Sequence, residues 1–401
     1  MGSNVVVLGA GILGLATARE LLARQPDRAV TVLEREPEVG FHQTGHNSGV
    51  IHGGIYYAPG SLKARLCVSG ARDMYEFCER HGIEAKRCGK LIVATRDEEL
   101  PGLDELERRA KANEVPGLRR VGPDELREIE PHAAGVAALH SPATGVVDFR
   151  EVARALADDV RSAGGEVRLG YEVSGVDTRN GGVRLRSRDG DEIEAERAVF
   201  CAGPWSDRLA LEAGAEADPR IVPFRGAYLT LRPERADLVK SLIYPVPDPT
   251  LPFLGVHLSR HVDDEVTIGP TALLAAARDP RKKLSAEDLG ATLAWPGTRK
   301  MVRRWWRTGL TEIKHALSKN ALVRDAQRYV PELQADDVQP GHFGIRAQAL
   351  GRDGRLIDDF VFHQTGRVLH VRNAPSPAAT ASLAIARQIA DQVEKDVLAP
   401  A

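Results

Sequence analysis

The sequence is poor in cysteine, has no long apolar run and carries no large excess of charge. Its 401 residues contain four cysteines, without a Cys-x-x-Cys pair or metal-ligand spacing, so we predict no metal site and expect a reducing cytoplasm. Without a run of about 18 apolar residues, we expect no membrane-spanning helix. The first apolar run begins within a few residues of Met1, so we expect no cleavable signal peptide. A formal net charge of −2 gives no reason to expect a nucleic-acid partner.

What the sequence does contain is a glycine-rich motif between two short apolar runs near its start. Gly9, Gly11 and Gly14 form G-x-G-x-x-G, and Glu34 follows the second run. In a β-α-β unit these glycines allow a tight turn, close approach of a pyrophosphate and close packing of helix on strand. An acidic residue at the end of the second strand, here Glu34, accepts hydrogen bonds from a ribose hydroxyl. The motif therefore predicts an ADP-containing dinucleotide, with its phosphates at a helix N-terminus.

The remaining pattern predicts an α/β protein (α+β overall), with a Rossmann-like dinucleotide domain and an inserted antiparallel-sheet substrate domain. We assign residues 1–85, 145–215 and 340–401 to the dinucleotide domain. Residues 86–144 and 216–339 form the predicted substrate domain, including a helical segment over 285–325. A polar, glycine-rich stretch over 40–60 is too irregular for a strand, and long structured loops of this kind are usually functional.

Two later features favour FAD over a nicotinamide. A buried strand ends in Ala202 and Gly203, which suits a second strand in contact with the dinucleotide. The loop over 373–380 leads into a helix predicted from Ala378, whose positive end would face the N1/O2 edge of a reduced isoalloxazine. Ordinary N-capping by Ser376 is the alternative explanation. A nicotinamide-dependent reductase would normally need a second G-x-G-x-x-G, and the sequence has none.

Longer motifs match a known family from end to end of the chain. They lie at 42–57, 59–64, 88–91, 145–148, 223–226, 243–249, 252–257, 344–349 and 373–380. On these residues the chain resembles the FAD-dependent L-2-hydroxyglutarate dehydrogenases/oxidases, within the D-amino-acid-oxidase-like flavoproteins. The sequence departs from the family's pattern at Ala227 and Leu229, where similar proteins tend to carry Glu and an aromatic residue.

The resemblance implies oxidation of L-2-hydroxyglutarate to 2-oxoglutarate by hydride transfer from C2 to flavin N5, with electrons passed to quinone or oxygen. Non-covalent FAD is favoured over a covalent bond through His46. An amine or amino-acid oxidase of the same superfamily, or a non-catalytic FAD-binding protein, are the alternatives. The predicted FAD-binding residues are Gly9, Gly11, Ile12, Gly14, Glu34, Arg35, Thr44, His46, Asn47, Ser48, Val173, Ala202, Gly203, Pro375, Ser376, Ala378, Ala379 and Thr380.

Oxidising a 2-hydroxy acid requires a base for the hydroxyl proton and a cation for the carboxylate. His52, in the glycine-rich loop, and His257, at a strand end, are alternative bases. Arg346 can hold a carboxylate with two hydrogen bonds, unless it pairs with one of the acids at 353, 358 and 359. Further substrate-binding candidates are Lys63, Tyr57, Arg225, Tyr244 and Gln348.

Residues 295–319 differ in charge from the rest of the chain, with seven Lys or Arg against one acid, Glu312. Met301, Trp305, Ile313 and Leu317 recur at helical spacing. A basic helix with tryptophan and an apolar face is typical of membrane interfaces. It is also compatible with packing on the substrate domain or with steering of an acidic substrate. We therefore predict a cytoplasmic protein. On the first of these three alternatives it is peripheral on the inner face of the cell membrane, where quinone is an available partner.

Overall fold

The computed structural model describes residues 4–178, 181–251 and 253–398. Six strands form one sheet, the dinucleotide sheet, in the spatial order Val361–Thr365, Val368–Asn373, Arg197–Phe200, Val5–Leu8, Val30–Leu33 and Glu166–Arg168. Neighbours are parallel except for the first pair, which is antiparallel. This arrangement confirms the predicted Rossmann-like fold.

Helices of the dinucleotide domain share one apolar core with the strands Val5–Leu8 and Val30–Leu33. Helix Ile12–Arg24 contacts both Phe149–Ser162 and Ser382–Leu398, and the last of these also contacts Leu62–Arg80. Two of these helices begin at capping side chains: Ser61 accepts a hydrogen bond from the Ala64 N–H, and Asp148 from the Arg150 N–H.

The glycines of the motif bring helix Ile12–Arg24 against the first strand. Gly9 has φ +103°, a conformation that favours glycine, and a Cβ there would collide with the carbonyl oxygen of Cys201. A Cβ on Gly14 would collide with the carbonyl oxygen of Gly9. The spacing of the motif is therefore a packing requirement of the turn itself.

A second, larger sheet, the substrate sheet, has the spatial order Leu273–Leu274, Arg220–Leu231, Val266–Gly269, His257–Arg260, Leu242–Pro245, Lys90–Ala94, Ala137–Ser141 and Arg119–Val121. Among these pairs only Leu242–Pro245 and Lys90–Ala94 run parallel in the described chain; the predicted sheet was wholly antiparallel. A ninth strand, Val338–Leu350, pairs with Arg220–Leu231 over its whole length.

That ninth strand corrects the predicted division of the chain. Residues 340–350 were assigned to the dinucleotide domain, but they lie in the substrate sheet. The register runs from Arg220 opposite Leu350 to Leu231 opposite Val338, so the strand cannot leave this sheet before residue 350. The next strand of the chain, Val361–Thr365, is back in the dinucleotide sheet.

Smaller elements complete the fold. Short three-stranded sheets are formed by Val173–Asp177, Val183–Ser187 and Glu192–Ala195, and by Val50–Ile51, Gly145–Val147 and Ala85–Lys86. The other α-helices are Leu100–Ala112, Pro123–Ile129, Ser206–Glu212, Ala286–Ala294, Pro296–Leu317 and Lys319–Ala326. Short 3₁₀ helices lie at Gln43–Gly45, Asp97–Glu99, Gly203–Trp205, Pro233–Leu238 and Ala335–Asp337.

Helix Pro296–Leu317, called the basic helix below, does not present the apolar face predicted for it. Met301 is buried and Trp305 packs beside it, against the core around Trp295. The backbone is not helical at Trp305 (φ −118°, ψ 27°), which kinks the helix there. Beyond the kink, Ile313 and Leu317 are exposed.

An apolar stripe is exposed on the basic helix instead. It consists of Val302, Trp306, Leu310, Ile313 and Leu317, spaced by three or four residues. Across the described residues, no helix has the length and apolar character needed to cross a membrane.

The packing at Gly14 gives the first prediction. Gly14→Ala should lower the free energy of unfolding by about 1–3 kcal/mol, because the added methyl overpacks the turn. Gly290, in an exposed helix with open space around its Cα, is the matched control, and Gly290→Ala should stabilise by about 0.5–1 kcal/mol. Urea unfolding of both variants provides the measurement. Equal stability of Gly14→Ala and the parent would contradict the packing argument.

Candidate functional site

A cavity of about 1300 Å³ lies where the carboxyl ends of the dinucleotide strands meet the substrate sheet. All the residues predicted to bind FAD line it, apart from Gly14, which acts through the close packing described above. The cavity also reaches the candidate substrate residues His52, Tyr57, Tyr244, His257 and Arg346. One continuous space therefore joins the two sets of residues.

The phosphate end of the cavity is the N-terminus of helix Ile12–Arg24. No side chain caps Gly11, and no acidic residue occupies the first turn. The Ile12 N–H donates to Thr44 Oγ1 at 3.0 Å, which fixes the glycine-rich loop against the helix. The positive end of the helix dipole therefore faces the cavity, as a pyrophosphate requires.

Glu34 is held rigidly at the end of the second strand. Its Oε2 accepts from the Ala10 N–H at 2.7 Å and its Oε1 from the Glu36 N–H at 3.0 Å. Burial raises the pKa of Glu34, although the two backbone donors oppose this shift. Each carboxylate oxygen keeps a second lone pair, which suits a ribose hydroxyl. Beside it, the Arg35 guanidinium lies 4.4 Å from the Trp205 ring centroid.

Two loops meet at the other end of the predicted FAD site. The His52 N–H donates to Thr380 Oγ1 at 3.0 Å, and the same hydroxyl donates to the Val50 carbonyl at 3.1 Å. Ser376 Oγ lies 3.3 Å from His52 Nε2. These bonds tie the loop over 373–380 to the glycine-rich loop over 40–60.

The helix after this loop begins later than predicted. It starts at Ser382 instead of Ala378, because residues 376–381 form turns in which the Ala378 N–H donates to Pro375 and the Ala381 N–H to Pro377. The positive helix end expected at Ala378 is therefore four residues further along the chain.

Within the glycine-rich loop, two predicted FAD contacts have polar groups engaged by the loop itself. Asn47 Nδ2 donates to the carbonyls of Gln43 and Thr44, and its Oδ1 accepts from the Gly49 N–H. His46 Nδ1 donates to the His42 carbonyl at 2.9 Å. Both residues line the cavity, and these bonds hold the loop in shape.

The two candidate bases are both held in the neutral form. Burial lowers the pKa of His257 to about 3, with Lys90 and Arg346 adding to the effect. Burial, followed by the charge of Lys90, also lowers the pKa of His52 well below its ordinary value. His257 Nδ1 donates to the Gly255 carbonyl at 3.0 Å, so the neutral imidazole carries its lone pair on Nε2.

Arg346 is a cation without an acidic partner. Among the described residues no carboxylate lies within salt-bridge distance of its guanidinium, which lies 5.1 Å from the Phe253 ring centroid. Two of the predicted alternative partners are engaged elsewhere: Asp358 with Lys63, and Asp353 with Arg355. The side chain is open to the cavity, and the surrounding protein lowers its pKa.

Three further substrate candidates are placed differently from one another. Arg225 is exposed and lies 3.8 Å from the Phe343 ring centroid, outside the cavity lining; its assignment to the substrate site is wrong. Alternation along the strand explains this, since its neighbour Phe224 lines the cavity. Lys63 lines the cavity, but its Nζ pairs with Asp358 at 2.7 Å. Gln348 Nε2 donates to the Ile357 carbonyl at 3.0 Å.

Sequence reasoning missed several residues at this end of the cavity. Tyr228 and Phe253 line it, and Tyr228 lies within electrostatic range of Arg346. Lys90 is fully buried at the start of strand Lys90–Ala94, with its Nζ 3.8 Å from the Tyr244 ring centroid. A lysine as the first residue of an apolar strand was the available signal, but such a residue usually lies at an exposed strand end.

Comparison with known proteins agrees with this geometry. The chain matches the family model described as DAO, FAD dependent oxidoreductase, over residues 4–392. It belongs to that family. FAD is the family's cofactor, and the glycine turn, the free helix N-terminus and Glu34 fit its dinucleotide part.

Relatives of the chain carry a more specific name. It is 49% identical to the mitochondrial L-2-hydroxyglutarate dehydrogenase of Nematostella vectensis, covering 97% of this chain and 90% of that protein. The mitochondrial enzyme of Homo sapiens is 45% identical (98% and 89% covered), and L-2-hydroxyglutarate dehydrogenase of Escherichia coli is 44% identical (98% and 93%).

Solved structures share the fold at lower identity. L-alpha-glycerophosphate oxidase from Mycoplasma pneumoniae with FAD bound has a TM-score of 0.79 and 22% identity, covering 98% of this chain and 95% of that one. Glycine oxidase from Geobacillus kaustophilus has a TM-score of 0.70 and 21% identity, with the same coverage. These likenesses establish the fold.

The hydrogen bonds of Glu34 lead to a test of the FAD site. Glu34→Ala should raise the Kd for FAD at least tenfold. The N–H groups of Ala10 and Glu36 lose their acceptor, and the ribose hydroxyl loses the carboxylate to which it would donate. Flavin fluorescence titration of the deflavinated protein measures this. The exposed Glu38, changed to Ala, is the control and should leave the Kd unaltered. A thermal melt distinguishes a loss of FAD affinity from a general loss of stability. An unchanged FAD affinity in folded Glu34→Ala would show that Glu34 does not bind FAD.

Proposed function

We propose that the chain is an FAD-dependent dehydrogenase that oxidises L-2-hydroxyglutarate to 2-oxoglutarate. The observation that carries the proposal is the unpaired Arg346 at the same end of the cavity as the neutral His257. A cation without an acidic partner among the described residues, next to a base with a free lone pair, suits a 2-hydroxy acid. The names of the relatives supply the substrate within that class.

Each residue has a defined part in this reaction. Arg346 binds the C1 carboxylate with two hydrogen bonds and so fixes the orientation of C2. His257 Nε2 accepts the proton of the C2 hydroxyl, since its Nδ1 is occupied by the Gly255 carbonyl. FAD, held by the glycine turn, Glu34 and the loop over 373–380, would supply the acceptor for the hydride of C2. His52, whose Nε2 already contacts Ser376, is the second candidate for the proton.

The substrate carboxylates make His257 a stronger base than it is in the free protein. Its pKa is lowered by burial first, and then by Lys90 and Arg346. A bound dianion places negative charge beside both cations, so part of their repulsion toward an imidazolium is cancelled. Proton transfer is therefore favoured only with substrate in place.

Anaerobic mixing of the holoenzyme with L-2-hydroxyglutarate tests the proposal. We expect rapid loss of the visible flavin absorbance with this compound, and none with its D enantiomer or L-glutamate. Arg346→Met should keep its FAD and bind substrate at least tenfold more weakly, because the guanidinium proposed to hold the C1 carboxylate is lost. His257→Gln should slow flavin reduction by about 100-fold or more.

Other outcomes distinguish the alternatives. Bleaching by L-glutamate with release of ammonia would show an amino-acid oxidase. A flavin that no hydroxy or amino acid reduces would show a non-catalytic FAD protein. Reduction that is as fast in His257→Gln as in the parent would transfer the role of base to His52.

For the basic helix we propose binding to an anionic membrane surface. Its exposed stripe includes Trp306, and Leu317 at its end is 84% exposed. Arg299, Lys300, Arg303, Arg304, Arg307 and Lys314 lie on the same helix. Apolar insertion together with basic side chains near lipid phosphates is how interfacial helices bind. A dehydrogenase held there can pass its electrons to a membrane quinone.

Vesicle sedimentation tests this second proposal. Trp306→Glu combined with Leu310→Glu should abolish binding to vesicles of phosphatidylglycerol and phosphatidylcholine, because the apolar contact is lost. Changing the arginines at 303, 304 and 307 to Gln should weaken binding to the anionic vesicles. The control is Leu169→Glu, at an exposed leucine far from this helix in the sequence. Unchanged sedimentation of the double variant would contradict a membrane role.

A further inference from the structure

Lys90 is a buried cation that the reaction described above does not use. Its side chain is 1% exposed, and it does not line the cavity. Within the described chain no carboxylate lies within salt-bridge distance of its Nζ. A buried ammonium without an anion is costly, so its presence needs an explanation beyond packing.

The rings of two cavity-lining tyrosines contact this ammonium. Lys90 Nζ lies 3.8 Å from the Tyr244 ring centroid and 5.3 Å from that of Tyr56. Tyr244 also stacks on the His257 imidazole, with centroids 4.0 Å apart. The charge of Lys90 is therefore separated from the cavity by aromatic rings, which offer partial compensation through their faces.

Lys90 and Arg346 act on the same part of the cavity. Both lower the pKa of His257, so both lie within electrostatic range of that imidazole. The other cations close to this end have acidic partners, since Lys63 pairs with Asp358 and Arg109 with Glu105. Two positive charges without a salt bridge in the described chain thus lie at, or directly behind, the end of the cavity where the substrate is proposed to bind.

We propose that Lys90 is a positioning residue that, together with Arg346, matches the site to a substrate with two carboxylates, acting through the rings of Tyr56 and Tyr244. Arg346 binds one carboxylate directly, and the field of Lys90 stabilises the second. The inference rests on the proposed function and adds to it the origin of the preference for a diacid over a monoacid.

Titration of Lys90 makes the inference testable in the unmodified enzyme. Burial lowers the pKa of Lys90 to about 7, an effect that the nearby thiols oppose. The titratable groups around its ammonium are His52, Tyr56, Cys67, Cys88, Tyr244 and His257. The set contains no carboxylate, so a bound dianion should raise the pKa of Lys90 and draw a proton into the complex above pH 7.

The first experiment compares two unreactive ligands on the oxidised holoenzyme at pH 6. Glutarate has both carboxylates and no C2 hydroxyl, and valerate has a single carboxylate on the same chain length. Lys90→Met should weaken glutarate binding by about tenfold, because one Coulombic attraction is lost, and valerate binding by about threefold or less. Lys90→Arg should retain the preference for glutarate. Lys240, exposed in the same domain, provides the control Lys240→Met, which should bind both ligands as the parent does.

The second experiment needs no variant and so does not depend on whether Lys90→Met folds. Calorimetric titration of the parent holoenzyme with glutarate at pH 8, in buffers of different ionisation enthalpy, measures proton uptake. We expect uptake of a large fraction of one proton, and an affinity for glutarate that falls from pH 7 to pH 9. Valerate should take up clearly less.

The outcomes separate the inference from the function on which it rests. If the parent enzyme prefers glutarate but Lys90→Met retains the full preference, or glutarate binds without proton uptake, the role of Lys90 is overturned and the proposed function stands. If the parent enzyme does not distinguish glutarate from valerate, the diacid assignment and the inference fail together.

Discussion

Positive charge without a protein partner is the constraint on which the active end of this molecule depends. Arg346 is open to the cavity and Lys90 is fully buried, and neither has a carboxylate at salt-bridge distance in the described chain. Charges of this kind destabilise a folded protein unless something compensates them. Arg346 and Lys90 both lie on strands of the substrate sheet, which holds their charges in place. The remaining interactions of the fold offset the unfavourable free energy of these charges, and a bound anion reduces it. Lowered pKa values of this kind, found for both Arg346 and Lys90, cluster at functional sites.

Strand alternation decides which side chains share that end of the cavity. Strand Val338–Leu350 pairs with Arg220–Leu231, and Phe224 lies opposite Arg346. A side chain one residue along either strand points to the other face, which is why Arg225 is exposed. The long pairing therefore fixes the guanidinium and the aromatic wall around it as a single unit.

The dinucleotide half could be predicted from sequence because its signals are local. The motif glycines act on a turn and the first turn of a helix, and Glu34 closes the same unit. The substrate half depends on register between strands over a hundred residues apart, which no short motif encodes. For that reason residues 340–350 were assigned to the wrong sheet and Arg225 to the substrate site. Lys90 lies within the family motif at 88–91, but the sequence alone suggested no role for it. The start of the last helix was missed because its turns use the same residues that would begin a helix.

The basic helix and the cavity are joined by a direct contact. The one acid in the basic segment, Glu312, accepts a hydrogen bond from the Ala272 N–H at 2.6 Å, and Ala272 lines the cavity beside Thr271. Thr271 in turn accepts from the Ala227 N–H, on the strand that pairs with Val338–Leu350. These two hydrogen bonds hold the segment over 271–272 between the basic helix and the strand Arg220–Leu231. Because a partly buried N–H is costly to leave without an acceptor, Glu312 fixes this part of the cavity wall while the apolar stripe of the same helix stays exposed.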